Sequence, residues 1–349
     1  MRCPSLNDLP HPPLRKTGWP WTDETQPLPD EMQDGTEWPC VSVITPSYNQ
    51  GQFLEETIRS VLLQGYPNLE YIIIDGGSSD KTVQIIERYE PWLAYWTSEP
   101  DRGQSHAINK GLKRAEGEVV AYLNSDDIYL QGAVQKVLTY LLDHEDVDVV
   151  YGDCLVTDLG GRTTAIWRSR PFDLFGELCL NSINQPTVFM KRRVLDLVGY
   201  FDEGLRYTMD IDYWFRAGMQ VRFEYFPVEL AAFRITEDSK TGISLIPFAR
   251  ERRKVIERFF RIYADPNMAK WVNSVLSWDH YRAGSQLYSD NQRGMAKREF
   301  IKGIRLEPFS LKTLAALLAI FDTHLKTNFF GRLAAGLPID LIPSGRRII

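Results

Sequence analysis

The sequence predicts an α/β protein with a mostly parallel central sheet and helices on both of its faces. Short runs of β-branched and aromatic residues recur at 41–45, 71–74 and 119–123. Each run ends at a polar turn, and the segments after the first two carry apolar residues at helical spacing. Strands that are repeatedly followed by crossover helices form a parallel sheet whose two faces are covered.

The ends of the elements are marked by specific residues. Pro46 stops the first run, and apolar residues between 53 and 62 then recur at helical spacing, which predicts the first helix. The second run is followed by Ser79 and Asp80, either of which can cap the next helix. The remaining elements of this region, in chain order, are a strand at 93–97, a helix at 104–115, a strand at 119–123, a helix at 131–142 and a strand at 147–151.

After Gly152 the alternation ends, and strand-like pieces such as 186–190 alternate with loops to about residue 235, with a helical turn or two at 212–218. The region beyond is helical: a strongly basic helix at 246–263 is followed by a helix pair, 281–304 and 311–321. We therefore expect three parts: an extended N-terminal arm at 1–39, an α/β domain at 40–245 and a helical C-terminal region at 246–349. Three tryptophans in the arm indicate that part of it packs against the body.

Composition excludes several classes of protein. The 349 residues are 44% hydrophobic and 25% charged, as in ordinary globular proteins. A formal net charge of -6 argues against nucleic acid as a partner. The four cysteines form no CxxC pair, which disfavours a zinc site or a disulfide framework and favours a reducing cytoplasm. We expect neither a secretory signal nor a membrane-spanning run.

The first candidate binding segment follows the first strand. Thr45, Pro46, Ser47, Tyr48 and Asn49 are small or polar residues at a position where α/β sheets bind nucleotides. The segment has no GxGxxG and no GxxxxGK[ST], so a dinucleotide-binding dehydrogenase and a P-loop protein are disfavoured. A plain turn is the alternative interpretation.

Two further segments add candidate ligand contacts. Asp75 ends the second strand and can accept a hydrogen bond from a base N–H or a ribose hydroxyl, although turn chemistry explains an Asp-Gly pair equally well. Arg102 can meet a phosphate and Asn109 a sugar hydroxyl. The alternative for this third segment is a solvated helix start, and we expect His106 to be structural.

The most informative segment is Asn124, Ser125, Asp126 and Asp127, directly after a buried strand. Crowded carboxylates there are costly unless a positive charge lies between them. Oxygen ligands suit Mn²⁺ or Mg²⁺, which would bridge a diphosphate, so we expect Asp126 and Asp127 to bind metal and Asn124 and Ser125 to contact the donor. Capping of the next helix by one aspartate is the alternative.

The fifth segment contains Asp210 and Asp212 between large apolar residues. Apolar surroundings favour the protonated form of a carboxylate, which suits a general base. Acidic residues also favour a helix N-terminus. Both can hold, with Asp210 catalytic and Asp212 structural.

Together these segments resemble the family 2 glycosyltransferases with the GT-A fold, in the branch that builds bacterial surface polysaccharides. The likeness covers about residues 40 to 240. The five segments that carry it are VSVITPSYN at 41–49, IDGGSSD at 74–80, EPDRGQ at 99–104, NSDD at 124–127 and MDIDYW at 209–214.

The resemblance implies an inverting transfer from a UDP-, GDP- or dTDP-linked sugar to a glycan or lipid-linked acceptor. Asp75 would match the nucleobase-binding region, Asp126 the second carboxylate of the DxD metal motif, and Asp210 the base that deprotonates the acceptor hydroxyl. A non-catalytic nucleotide-sugar-binding scaffold is the alternative. A sugar nucleotidyltransferase is disfavoured because its glycine-rich loop with lysine is missing.

Three positions depart from the family pattern. Asn124 replaces the first aspartate of DxD, Gly76 replaces a second acid often found after Asp75, and Arg234 is not followed by the histidine of many relatives. The QxxRW motif and membrane helices of processive relatives are absent from the sequence, so we expect transfer of a single sugar.

The C-terminal region lies outside the resemblance. An apolar stripe from Leu314 to Leu325 predicts core packing, and attachment to a membrane surface through the C-terminal helices is the alternative. The basic residues at 250–261 would assist on an anionic leaflet. We expect a cytoplasmic protein, with peripheral contact at the inner face of the cell membrane under the second interpretation.

Overall fold

The computed structural model describes residues 3–235, 245–263, 265–310, 316–317 and 346–348. The chain divides into two compact units. The first comprises Met1–Phe172, Ser182–Ile235 and Arg346–Ile349, and the second comprises Asp173–Asn181 and Thr236–Gly345. In this division the first unit includes the N-terminal arm and residues 346–349 and omits residues 173–181, and the domain bounds expected from the sequence stay predictions.

The first unit is built on a ten-stranded mixed sheet with the order β10-β7-β6-β8-β4-β1-β2-β3, with β9 joining β5 and β6. Its strands are β1 (Val41–Ser47), β2 (Leu69–Asp75), β3 (Tyr95–Ser98), β4 (Val119–Tyr122), β5 (Ile128–Tyr129), β6 (Val149–Thr157), β7 (Thr163–Trp167), β8 (Phe189–Lys191), β9 (Phe223–Arg234) and β10 (Arg346–Ile348). Strands β3, β2, β1 and β4 are parallel, as the alternation predicts.

The other half of the sheet differs from the expectation of a continued parallel series. Strand β8 is inserted between β4 and β6 and is antiparallel to both. The segment at 147–151 therefore extends into β6 without pairing with β4, and β7 folds back on β6 as a hairpin. The predicted strand at 186–190 becomes a 3₁₀ helix, Gln185–Thr187, followed by β8.

Helices cover both faces of the sheet in the first unit. They are α1 (Leu54–Leu62), α2 (Thr82–Tyr89), α3 (Gln104–Arg114), α4 (Ala133–Asp143), α6 (Arg193–Val198) and α7 (Met209–Ala217), with a 3₁₀ helix at Glu90–Trp92. Consecutive residues of β1 point to opposite faces of the sheet. Val43 packs in the hydrophobic cluster that includes α1, and Ile44 packs in the cluster that includes α3. Helix α3 lies so close to β1 that a Cβ at Gly111 would stand 2.4 Å from Ile44.

The N-terminal arm packs on the first unit, as its tryptophans indicate. Arg59 of α1 is fully buried and donates hydrogen bonds to the carbonyls of Pro10, Pro20 and Trp21. Trp19 donates through Nε1 to the carbonyl of Tyr129 at 2.8 Å. A charged side chain that is saturated by arm carbonyls fixes the arm in place.

The described part of the second unit is helical. Its helices are α5 (Leu174–Leu180), α8 (Leu245–Tyr263), α9 (Pro266–Ala269), α10 (Val272–Ser289) and α11 (Arg293–Leu306). The expectation of one helix over 281–304 is wrong, because the chain reverses between α10 and α11, where Asn291 adopts a positive φ of 59°. Phe300 fills the space above Gly284, where a Cβ would lie 2.7 Å from its ring.

The basic character of α8 is partly turned inward. Arg252 is buried and pairs with Asp279 at 2.7 Å, and Arg253 pairs with Asp279 and Glu299. These two cations are therefore neutralised within the unit. Apart from Leu317, which is exposed, the apolar positions of the predicted C-terminal stripe lie outside the described residues. Among the described helices, none combines the length and apolar character needed to cross a bilayer.

Candidate active site

The segment after β1 combines buried and exposed positions. Thr45 is buried and shares a hydrogen bond with the hydroxyl of Tyr71, and Pro46 is buried within β1. Ser47 is also buried, and its Oγ has no hydrogen-bond partner among the described residues. The next side chain, Tyr48, is 62% exposed. A buried unpaired hydroxyl beside an exposed ring is a suitable contact for a bound polar ligand.

Asn49 and Asp75 shape the adjoining turns. Asn49 has a φ of 52°, and its Oδ1 accepts a hydrogen bond from the backbone N–H of Ser79 at 2.9 Å. Asp75 is fully buried and accepts hydrogen bonds from the backbone N–H groups of Gly77 and Ser78 and from two serine hydroxyls. These contacts match the turn interpretation of Asp75, and its contact with a nucleobase stays a prediction.

The space beside Gly76 is occupied by a carboxylate that sequence reasoning missed. A Cβ at Gly76 would lie 2.7 Å from Oδ2 of Asp101 and 3.3 Å from the ring of Tyr48. Position 76 thus lacks the second acid of the family pattern, but Asp101, from another turn, places a carboxylate beside it. The glycine itself was the available signal, since a side chain would not fit there.

Arg102 and Asn109, the two predicted donor contacts near α3, both reach Glu203. Arg102 is exposed and forms an ion pair with Glu203 at 2.5 Å. Asn109 is buried, donates to Glu203 and to the carbonyl of Phe201, and accepts from the backbone N–H of Phe201. The structure therefore uses both residues to hold the loop before α7, and their contacts with phosphate and sugar stay predictions.

The loop after β4 contains the four predicted donor and metal residues. Ser125 and Asp127 are buried, whereas Asn124 and Asp126 are half-buried. The hydroxyl of Thr57 donates to the carbonyls of Ser125 and Asp127, at 3.0 and 2.7 Å. Helix α1 thereby fixes the backbone of the loop.

Asp127 is a buried carboxylate with limited compensation. Its Oδ1 accepts from the backbone N–H of Arg234 at 3.1 Å, and its Oδ2 accepts from Asn124 at 3.2 Å. Burial raises the pKa of Asp127 well above its usual range, and the nearby negative charge of Asp126 raises it further. This is the electrostatic situation that a bound cation would relieve.

Arg234 holds the loop from a second direction. Its Nε donates to the carbonyl of Asp126 at 3.1 Å, and its Nη2 pairs with Glu56 at 3.2 Å. The side chain is almost completely buried and lies over the ring of Phe53. Sequence reasoning noted Arg234 only for the residues after it, and residue 236, which it compared with the family histidine, lies outside the described residues.

Two glutamines complete the surroundings of Asn124. Gln104, the first residue of α3, donates through Nε2 to Asn124 Oδ1 at 2.6 Å. Asn124 Nδ2 donates to Gln185 Oε1 at 3.3 Å, and Gln185 Nε2 donates to the carbonyl of Tyr122 at 2.8 Å. The sequence analysis included Gln104 only as part of the motif at 99–104 and did not include Gln185, because only the fold brings residues 104, 124 and 185 together.

Asp210 lies in the first turn of α7 and is half-buried. Burial raises the pKa of Tyr122 well above its usual range, and the negative charges of Asp210 and Asp127 raise it further. The charges of the base candidate and of the acidic loop therefore both affect the ionisation of Tyr122. Asp212 pairs instead with Arg216 at 2.9 Å within α7, as a structural residue would.

The donor set favours a hard divalent cation such as Mg²⁺ or Mn²⁺ over a softer metal ion that binds thiolates and imidazoles. Among the described residues there is no cluster of three or more His, Cys, Asp or Glu side chains that could hold a metal by itself. Mg²⁺ and Mn²⁺ at phosphate-binding sites take one or two carboxylates and complete their coordination with substrate phosphates and water. Asp126 and Asp127, with one charge raising the pKa of the other carboxyl, fit that requirement.

Comparison with known sequences agrees with this description. The model of the family described as Glycosyl transferase family 2 matches residues 42–195. A glycosyltransferase of Rickettsia typhi is 30% identical over 221 residues, which are 60% of this chain and 68% of that protein. A Bacillus subtilis glycosyltransferase named for teichuronic acid biosynthesis is 41% identical over 114 residues, so the match spans 31% of this chain and 44% of that one.

Solved structures share the fold at low sequence identity. A mannosyltransferase from Pyrobaculum calidifontis, in complex with GDP-Man and Mn²⁺, matches with a TM-score of 0.57 at 21% identity. The match covers 92% of this chain and 87% of the mannosyltransferase chain. TarS from S. aureus, in complex with UDP-GlcNAc, has a TM-score of 0.53 at 18% identity, covering 82% and 92%. The sequence and structural matches together show that the chain is a glycosyltransferase of family 2 with the GT-A fold.

Proposed function

We propose that this enzyme transfers one sugar, with inversion, from a nucleotide-diphosphate sugar to a hydroxyl of a glycan or lipid-linked acceptor. The observation that carries the proposal is the acidic loop after β4, where Asp126 lies beside the fully buried Asp127 and where Thr57 and Arg234 hold the backbone carbonyls. A fixed pair of carboxylates at the carboxyl end of a parallel strand supports binding of a cation together with the diphosphate of a donor.

The residues after β1 and β2 bind the nucleotide in this proposal. The unpaired Oγ of Ser47 and the exposed ring of Tyr48 line the end of β1, where a base and ribose would lie. Gly76 lies beside them, where a Cβ would lie 3.3 Å from the ring of Tyr48. The complexes of the structural neighbours with UDP-GlcNAc and GDP-Man support a nucleotide-sugar donor without deciding the nucleotide.

Asp126 and Asp127 hold Mn²⁺ or Mg²⁺ in this proposal, with Asp126 as the more accessible carboxylate. When bound, the cation supplies neutralisation of the diphosphate leaving group. Thr57 and Arg234 keep the loop in a fixed orientation by holding its carbonyls. The Mn²⁺ named in the complex of the Pyrobaculum enzyme supports a divalent cation.

Asp210 acts as the general base. It would accept the proton of the acceptor hydroxyl as that oxygen attacks the anomeric carbon opposite the departing diphosphate. Asp212 and Arg216 keep α7 in place, since Arg216 also donates to the carbonyl of Val198 at 2.7 Å. The acceptor belongs to polysaccharide assembly, by analogy with the Bacillus relative named for teichuronic acid biosynthesis.

The proposal is tested in two steps. Thermal unfolding is first followed with UDP, GDP and dTDP, each with and without Mn²⁺, because a ligand that binds the native state raises its stability. Donor hydrolysis and transfer by Asp210→Asn are then compared with the wild type. We expect one nucleotide to stabilise both proteins in a Mn²⁺-dependent manner, and transfer by the variant to fall by about 10²- to 10⁴-fold.

The controls separate the two assignments. Asp212→Asn should change the unfolding temperature of the free protein more than it changes the stabilisation by nucleotide, because Asp212 pairs with Arg216 inside α7. Normal transfer by Asp210→Asn would show that another group is the base. Absence of a shift with every nucleotide would contradict the donor site at the end of β1.

A further inference from the structure

The amide of Asn124 is the centre of a hydrogen-bond network that joins three elements. It accepts from Gln104 at the start of α3, and it donates to Gln185 in the 3₁₀ helix and to Asp127 in its own loop. Gln185 returns the network to β4 through the carbonyl of Tyr122. Both the oxygen and the nitrogen of the Asn124 amide are therefore used by neighbouring side chains.

An aspartate at position 124 could not serve this network. A carboxylate accepts hydrogen bonds only, so Oε1 of Gln185 and Oδ2 of Asp127 would each lose their donor. The N–H···O contact with Asp127 at 3.2 Å would become a contact between two carboxylates. Like charges at that distance repel strongly in a buried site, and Asp127 is fully buried.

The network also completes the immobilisation of the acidic loop. Thr57 and Arg234 hold its backbone carbonyls. The side chain of Asn124, which belongs to the loop, is held by hydrogen bonds with Gln104 and Gln185. Partners of this kind orient the groups that bind a metal, and their loss typically weakens metal affinity.

We propose that Asn124 is a positioning residue, which acts with Gln104 and Gln185 to orient the Asp126–Asp127 loop, and is not a weakened substitute for a metal-binding aspartate. The inference rests on the proposed function, because the loop is the one assigned to the cation. Its consequence is opposite to the expectation from the DxD motif: restoring the first aspartate weakens cation binding.

The experiment compares four proteins: the wild type, Asn124→Asp, Gln185→Met and the control Asn273→Asp. Asn273 is exposed on α10, so its substitution adds the same charge outside the network. The free Mn²⁺ concentration is titrated by electron paramagnetic resonance in the presence of UDP and, separately, of GDP. Urea unfolding of the metal-free proteins is measured in parallel.

We expect Asn124→Asp and Gln185→Met to bind Mn²⁺ about 10- to 100-fold more weakly than the wild type. Both should also unfold at lower urea concentration, because each leaves buried polar groups without partners. Asn273→Asp should match the wild type in Mn²⁺ binding and unfold at the same or a slightly higher urea concentration, because an acid in the first turn of α10 favours the helix. Mn²⁺ binding by Asn124→Asp that equals or exceeds that of the wild type would overturn the inference.

The two measurements separate this inference from the proposed function. If the wild type bound no Mn²⁺ with either nucleotide, the proposed metal site would be wrong. Urea unfolding would still test whether the hydrogen-bond network of Asn124 stabilises the loop. A lower midpoint for Asn124→Asp than for the wild type, without such a loss in Asn273→Asp, would then support the positioning role of Asn124. Equal midpoints would overturn it.

Discussion

Two turns at the same edge of the sheet carry buried carboxylates that are held in different ways. Asp75 follows β2 and accepts four hydrogen bonds, three from its own turn and one from Ser98 of β3. Asp127 follows β4 and, within the described part of the chain, accepts hydrogen bonds from two groups, Arg234 and Asn124. Burial and the charge of Asp126 raise the pKa of Asp127 well above its usual range. Strands β2 and β4 both neighbour β1, so the two turns flank one strand end.

The difference supports a scaffold role for Asp75 and the proposed ligand-binding role for Asp127. A buried carboxylate that is surrounded by donors stabilises a turn without needing a ligand. Two neighbouring carboxylates, one of them buried, repel each other, and a cation bound between them would lower that electrostatic energy. Sequence motifs treat the two aspartates alike, and the hydrogen bonds distinguish them.

The largest expected effect comes from removing the accessible charge of the acidic loop. Asp126→Asn should lower transfer by about 1,000-fold or more, because it removes several kcal/mol of charge stabilisation at the diphosphate. Its urea midpoint should stay near that of the wild type or rise, since the change removes a charge beside Asp127. Steady-state kinetics and Mn²⁺ titration measure the first effect, and urea unfolding measures the second.

The matched control for this substitution is Asp101→Asn. Asp101 is also an acid at the same edge, beside Gly76, but it does not belong to the loop after β4. It should retain Mn²⁺ affinity while changing nucleotide affinity. Equal loss of Mn²⁺ binding in both variants would contradict the separation of the two turns.

The next largest effect tests the scaffold carboxylate. Asp75→Ala should lower the free energy of unfolding by about 3 kcal/mol, because it leaves several buried donors without an acceptor. Asp75→Asn keeps one acceptor oxygen and should be milder. If Asp75→Ala left the urea midpoint unchanged and abolished nucleotide binding, Asp75 would be a ligand contact and the comparison would be wrong.

The smallest effect extends the comparison to the second unit. Burial opposes ionisation of Glu299, but hydrogen bonds from His280 and Lys302 and the charge of Arg253 outweigh it and lower the pKa of Glu299 to about 2. Its stabilisation is therefore present above the unfolded pKa of about 4.3 and is lost as the pH falls toward 2. We expect a loss of about 1–2 kcal/mol from this group, after allowance for solvent screening.

Urea unfolding between pH 7 and pH 2.5 measures this loss. Glu299→Gln should be less stable at pH 7 and should lose less stability on acidification than the wild type. Glu307→Gln, in the same unit, serves as a control for the loss of a carboxylate elsewhere. An unaltered pH profile in Glu299→Gln would contradict the assignment.

The fold could be predicted only in part from the sequence. The parallel half of the sheet follows from β-branched runs, since each strand and the helix after it are local patterns. The antiparallel half does not, because insertion of β8 between β4 and β6 depends on pairing between segments far apart in the chain. The break at Asn291 was also missed, since a positive φ leaves only a weak local signal.

By itself, the sequence determined which chemical groups stand at the ends of the strands: the carboxylates after β2 and β4, and the acid in the first turn of α7. Strand ends and helix starts are local features, so their residues can be read in order. Only the tertiary structure decided that Asn124 meets Gln104 and Gln185, and that Asp127 accepts a hydrogen bond from the backbone of Arg234. Such contacts join residues tens of positions apart, and sheet pairing and helix packing set them.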